Sequence, residues 1–212
     1  MRISMRTIFQ LALAVSVLVS MSSCTVVKKQ RGEYHADAYR PNNPANVQVK
    51  ISLKNQAMYV TEGDRALLVT AACIGTPSTP TPKGNWRILS KTKYRRRQSH
   101  PGRGYPMGYW CSFYSPSYGI HQGWVHPYPR SHGCVRIHHN VAPKFFELVR
   151  VGTPVIVKDS FPEDTTIGKN IARPTDYGNP EWPAHILNTN EVFNLYKGPI
   201  FADGAAPKIP RS

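Results

Sequence analysis

The sequence predicts an all-β domain, a sandwich or barrel carrying one short helix, and three observations predict it. A stretch beginning at Asn46 alternates apolar and polar residues at the period of a half-buried strand. Further short strand-like runs follow, separated by segments rich in Gly, Pro and Ser, and only one stretch in the chain has helical spacing. With 212 residues, 41% of them hydrophobic, the chain has room for one core-forming domain plus extensions.

Taken in order, Val47, Val49, Ile51 and Leu53 face one way while Gln48, Lys50, Ser52 and Lys54 face the other. Asn55-Gln56 turns the chain into a second strand at residues 57–61, and Glu62-Gly63-Asp64 turns it again into an apolar run at 66–74, the signature of a β-meander. More strands are expected at 85–90, 109–113 and 119–121. The helix is expected to start at Asn140 as N-cap. It carries Ala142, Phe145, Phe146 and Val149 on one face, tolerates Pro143 in its first turn and ends at Gly152. Residues 153–157 read as a closing buried strand. Residues 159–212 lose periodicity and read as an irregular C-terminal extension. Its Trp182, Ile186, Leu187, Phe193, Leu195 and Tyr196 imply that part of it docks.

The N-terminus reads as an address. Arg2 and Arg6 precede an apolar run at 8–19 that is shorter than the roughly 20 residues of a membrane span, so residues 1–23 are taken as a signal peptide. Met21-Ser22-Ser23-Cys24 resembles a bacterial lipobox, which implies a lipidated Cys24 and anchorage to a membrane. Residues 24–45 then read as a polar tether of roughly 25 Å root-mean-square span. The formal charge of +15 falls to +13 once Arg2 and Arg6 are removed, so an anionic partner such as wall polymer or lipid headgroups is expected.

Chemistry concentrates in Tyr118-Gly119-Ile120-His121-Gln122-Gly123 and Ser131-His132-Gly133-Cys134-Val135-Arg136. Acyl transfer needs a thiolate, and free cysteine, with a pKa of about 8.5, supplies little of it at neutral pH without a base or positive charge nearby. The separation of His121 from Cys134 suits two strands joined by a loop that Pro127 and Pro129 help to return. Gly133 permits a tight turn whose amides can face an oxyanion.

The second motif closely resembles the S-H-G-C signature of the L,D-transpeptidase (YkuD-type) catalytic domain. Gly75 with Thr81-Pro82-Lys83-Gly84-Asn85-Trp86 and Gly152-Thr153-Pro154-Val155 resemble further segments of that family, so the resemblance covers about residues 46–158. It implies a YkuD-like β-sandwich with the helix following the cysteine motif, Cys134 as nucleophile and His121 as general acid/base. The Gln122 carbonyl would orient the His121 ring, and the amides of His132, Gly133 and Cys134 would form the oxyanion site. Ser131 and His132 would brace the loop, and Arg136, with Trp124 and Tyr118, would meet substrate. The implied reaction acylates Cys134 with a peptidoglycan stem tetrapeptide, releases the terminal D-amino acid and transfers the acyl group to an amine, with no metal or organic cofactor. The same residues would serve a hydrolase. The gap from His121 to Ser131 is shorter than in many members, which leaves His126 as an alternative base.

Blander readings stand beside these. His121, His126, His132, His138 and His139 with Cys134 fit no common zinc spacing, so no metal site is expected. Cys73 and Cys111 suit either a disulfide or two buried thiols. Lys91, Lys93, Arg95, Arg96, Arg97 and Arg103 read as a solvated basic loop. An export signal argues against nucleic acid as its partner.

Overall fold

The alternation that begins at Val47 is the seed of the architecture: Val47, Val49 and Ile51 are buried while Gln48 and Lys50 are only partly so. The computed structural model describes residues 33–98, 104–178 and 184–210. The expected signal peptide, Cys24 and the start of the expected tether lie outside them, as do Arg103 and Trp182.

The described strands are β1 (Val47–Ser52), β2 (Ala57–Glu62), β3 (Arg65–Ala71), β4 (Gly84–Arg87), β5 (Ser90–Thr92), β6 (Trp110–Phe113), β7 (Ser115–Gln122), β8 (Val135–Ile137) and β9 (Pro154–Lys158), joined by helices α1 (Ala142–Leu148) and α2 (Ala184–Leu187). β1, β2 and β3 form the expected antiparallel meander. β9 pairs parallel to β1 and β4 antiparallel to β9, giving the order β3-β2-β1-β9-β4. The second sheet has the order β5-β6-β7-β8, with β7 and β8 parallel. One apolar cluster draws Val49, Ile51 and Val60 from the first sheet, Phe113, Ile120 and Val135 from the second, and Phe145 from α1. The fold is therefore all-β, two sheets closed over a shared core with α1 after the cysteine motif.

Three expectations need correction. The single strand at 85–90 is two strands in different sheets. The Ile88 N–H donates to the Thr153 carbonyl and the next residue, Leu89, donates to Ser112 of β6, so the chain changes sheets between a fully buried and a half-exposed apolar residue. Asn140 does not cap α1. Val141 holds that place, because the Asn140 amide group donates instead to Glu33 Oε1 (2.8 Å) and the Tyr34 carbonyl (3.1 Å). α1 also stops at Leu148, before Gly152. Lys91 Nζ donates to the Phe146 and Val149 carbonyls at 2.6 Å each, where a cation suits the helix dipole, and Gly152 at φ +90° turns the chain toward β9.

The extensions are built into the fold. Residues 33–38 of the expected tether alternate, burying Tyr34, Ala36 and Ala38. The buried Lys144 Nζ holds them by donating to the Ala36 carbonyl at 2.8 Å. In the C-terminal extension, the Ala66 N–H of β3 donates to the Pro207 carbonyl and the Ile209 N–H donates to the Asp64 carbonyl. The free edge of the first sheet is thereby covered.

Candidate active site

Parallel pairing sets the site. β7 and β8 align Ile120 with Val135 and His121 with Arg136, and residues 123–134 supply the long crossover that parallel strands require. Alternate residues of a strand share a face, so Cys134, two positions before Arg136, projects on the same side as His121. Its Sγ lies 3.7 Å from the Ser117 carbonyl, and the Gly119 amide also points at it.

His121 is 3% exposed and fixed on two sides. Its Nδ1 is 2.7 Å from the carbonyl oxygen of Gln122, as the resemblance implied. A ring nitrogen facing a carbonyl carries the proton, which leaves Nε2 as the basic nitrogen. The Trp110 ring stacks on the imidazole at 5.6 Å and 28°. Trp110 can lie so close because Gly119 has no side chain: a Cβ there would come within 2.6 Å of the indole. The Gln122 side chain, itself buried, donates from Nε2 to the Val192 carbonyl at 2.7 Å, tying the C-terminal extension to the histidine strand.

The cysteine loop is braced from two directions. Ser131 Oγ accepts the Gly133 N–H at 3.0 Å and donates to the Cys134 carbonyl at 2.5 Å. The Gly133 amide is thereby engaged by Ser131. Thr81 Oγ1 accepts the Gly75 N–H and donates to the Gly133 carbonyl, both at 3.0 Å. That explains why Gly75 and the Thr81 segment accompany the cysteine motif. Gly133 has φ +107°, and a Cβ on it would lie 2.5 Å from Tyr118. Tyr118 therefore packs against the loop that carries Cys134.

His121, Cys134, Arg136, Ser131, His132 and Trp124 line one cavity of about 480 Å³, together with Trp110, Arg95, Arg97, Tyr105 and others. Burial draws the His121 imidazole down to about 3, with repulsion from Arg136 and Arg95 acting in the same direction against the Gln122 hydrogen bond. Burial also pushes the Cys134 thiol above its ordinary value, opposed by the Gly119 amide, Arg136 and Arg95. Both shifts favour the uncharged forms, thiol and neutral imidazole.

His126, His138 and His139 are occupied elsewhere. His126 lies between Tyr128 and Tyr177, 5.4 Å from each ring, and does not line the cavity. Among the described residues His138, His139 and Asp176 bring ligand atoms within 4.8 Å of one another. However, His138 Nδ1 accepts the Asn140 N–H, so Nε2 carries the proton and donates to Asp176 at 2.9 Å. The two form a hydrogen-bonded pair in which His138 is buried and Asp176 partly exposed. Cys73 and Cys111 are free buried thiols; burial pushes Cys111 up to about 12.

Sequence reasoning read Arg95 as part of a solvated loop, and the structure places it in the cavity with Trp110. Lys91, Lys93 and Arg95 alternate, and the structure uses all three on ordered partners: Lys91 on α1, Lys93 over Tyr109, and Arg95 over Trp110 at 4.0 Å. Arg96 donates to the Leu187 and Thr189 carbonyls at 2.8 Å each. Much of the basic run is thus bound to protein. The period of two within it was the available signal.

A two-sheet scaffold that brings one thiol and one buried imidazole into a basic cleft has the layout of a cysteine–histidine enzyme. The chain belongs to the YkuD family, the L,D-transpeptidase catalytic domain, whose model matches residues 46–157. It is 30% identical over 122 residues to a Bacillus licheniformis protein named for the L,D-transpeptidase YkuD, covering 54% of this chain and 68% of that one. Among solved structures it is similar to an L,D-transpeptidase of Stackebrandtia nassauensis (23% identity, TM-score 0.49, 59% of this chain and 60% of that one). It is also similar to one of Enterococcus faecium (28%, TM-score 0.47, 53% and 50%). The chain spans about half to three fifths of these two structures.

Proposed function

We propose that this protein is a peptidoglycan L,D-transpeptidase that works through Cys134 and His121. The observation that carries this reading is the shared cleft, which both the Cys134 thiol and a buried imidazole line, the imidazole with its Nδ1 fixed by the Gln122 carbonyl. Cys134 Sγ attacks the carbonyl of the L-centre preceding the terminal D-residue of a tetrapeptide stem, and its proton passes to His121 Nε2. The imidazolium then protonates the leaving amine, the C–N bond breaks and a thioester remains. An acceptor amine attacks that thioester, returns the thiol and forms the new amide. The amides of His132 and Cys134 are left to hold the oxyanion, since that of Gly133 is engaged by Ser131.

The chain's family and its signal-like N-terminus support an envelope location, with Cys24 as a lipid anchor and residues 33–38 docked on the domain. No step requires a metal or an organic cofactor. The partners are stem peptides, as donor and acceptor, and the membrane surface; nucleic acid is not among them. A hydrolase with the same residues would replace the acceptor amine by water, and a wall-binding module would bind without turnover. Incubation with tetrapeptide-bearing muropeptides, followed by mass spectrometry of the products, separates the three. Cross-linked dimers are expected; tripeptides alone would indicate the hydrolase, and unchanged muropeptides the module.

A further inference from the structure

The cleft contains more positive charge than a thiol–imidazole pair needs. Arg95, Arg97 and Arg136 all line it, and no Asp or Glu does so among the described residues. Of these, Arg95 is held against the protein on two sides. Its guanidinium carbon lies 4.0 Å from the Trp110 ring centroid, and one terminal nitrogen donates to the Pro116 carbonyl at 3.2 Å. A guanidinium stacked on an indole has lost little of its charge and most of its rotational freedom, which prepares it for a carboxylate. Its position is informative as well. Arg95 binds the carbonyl of Pro116, and the Cys134 thiol contacts the carbonyl of the next residue, Ser117. The cation and the nucleophile thus both contact β7 and line the same cavity.

We infer that Arg95 is the receptor for the terminal carboxylate of the donor peptide, and so selects donors that end one residue beyond the bond to be broken. In such a donor the carboxylate follows the scissile nitrogen by a single Cα, so a donor that acylates Cys134 carries that charge into the cavity that Arg95 lines. A donor extended by a further residue, or capped as an amide, presents no charge there. This inference rests on the transpeptidase reading of the cleft and adds the group that measures donor length.

The test is calorimetric binding to the full chain carrying Cys134→Ser, which removes turnover from the measurement. The probe is a synthetic tetrapeptide with a terminal D-alanine, as the free acid and as the C-terminal amide. The free acid is expected to bind about tenfold more tightly, the worth of one charge-assisted hydrogen bond. Adding Arg95→Gln should weaken the acid to the level of the amide and leave the amide unchanged. Arg95→Lys, which keeps the charge but not the fork, should retain part of the preference and guards against a folding defect in Arg95→Gln. Equal binding of acid and amide by the Cys134→Ser chain would overturn the inference, as would a preference that survives Arg95→Gln. Failure here is separable from failure of the proposed function. Cross-linking by the unsubstituted enzyme without an acid preference removes only the subsite, whereas an acid preference without any turnover removes only the enzyme.

Discussion

The carbonyl of Gln122 holds the imidazole of His121 at 2.7 Å, and the side chain of the same Gln122 reaches back to Val192 in the C-terminal extension. One residue thus sets the tautomer of the imidazole and fastens a distant part of the chain to the strand that carries it.

Replacing that side chain tests the connection. Gln122→Leu leaves the Val192 carbonyl without its donor in a buried place and is expected to cost about 1–3 kcal/mol of stability. Urea unfolding of the two proteins measures it. Activity should fall less than stability does, because the carbonyl that orients His121 belongs to the backbone.

The buried histidine also predicts acid sensitivity. His121 is drawn down to about 3 and His139 to about 4, both chiefly by burial, so the unfolded chain binds protons that the folded chain does not. Stability is therefore complete above about pH 6.5 and is lost progressively as pH falls from there through the folded-state values. Thermal midpoints measured between pH 7 and 4 should decline, and the slope should be shallower in His121→Asn.

How much of this could be read in the sequence depended on how local each determinant was. The meander was visible because Val47, Val49 and Ile51 alternate against Lys50 and Gln48, and the site was visible because its motifs are contiguous. The change of sheet at Ile88 and Leu89 was not, since two adjacent apolar residues look like one strand until their hydrogen-bond partners are known. Asn140 misled for the opposite reason. It is a good cap by type, but Glu33, far away in sequence, claims its side chain. Tyr34, Ala36 and Ala38 were lost in a polar-looking tether because small buried residues give a weak apolar signal.

Gly133 should not tolerate a side chain. At φ +107°, and with Tyr118 2.5 Å from the position a Cβ would take, Gly133→Ala must move the loop that carries Cys134. Turnover of a tetrapeptide donor is expected to fall by more than tenfold, while the far-ultraviolet circular dichroism stays that of the parent.

Thiol counting checks the cysteines. Among the described residues Cys73, Cys111 and Cys134 are free, so in the denatured chain each of these three should be labelled as a thiol without reductant. In the native protein Cys134 should be the one of these three that an alkylating reagent labels first. Its labelling at pH 7 should be slower than that of a free cysteine, because burial keeps the thiol protonated.

The most direct measurement is the intact mass of the enzyme during exposure to a tetrapeptide donor. A mass increase equal to the donor less its terminal D-residue, mapped by proteolysis to Cys134 and absent in Cys134→Ser, is the predicted result. An adduct on another residue, or undiminished turnover by Cys134→Ser, would contradict it.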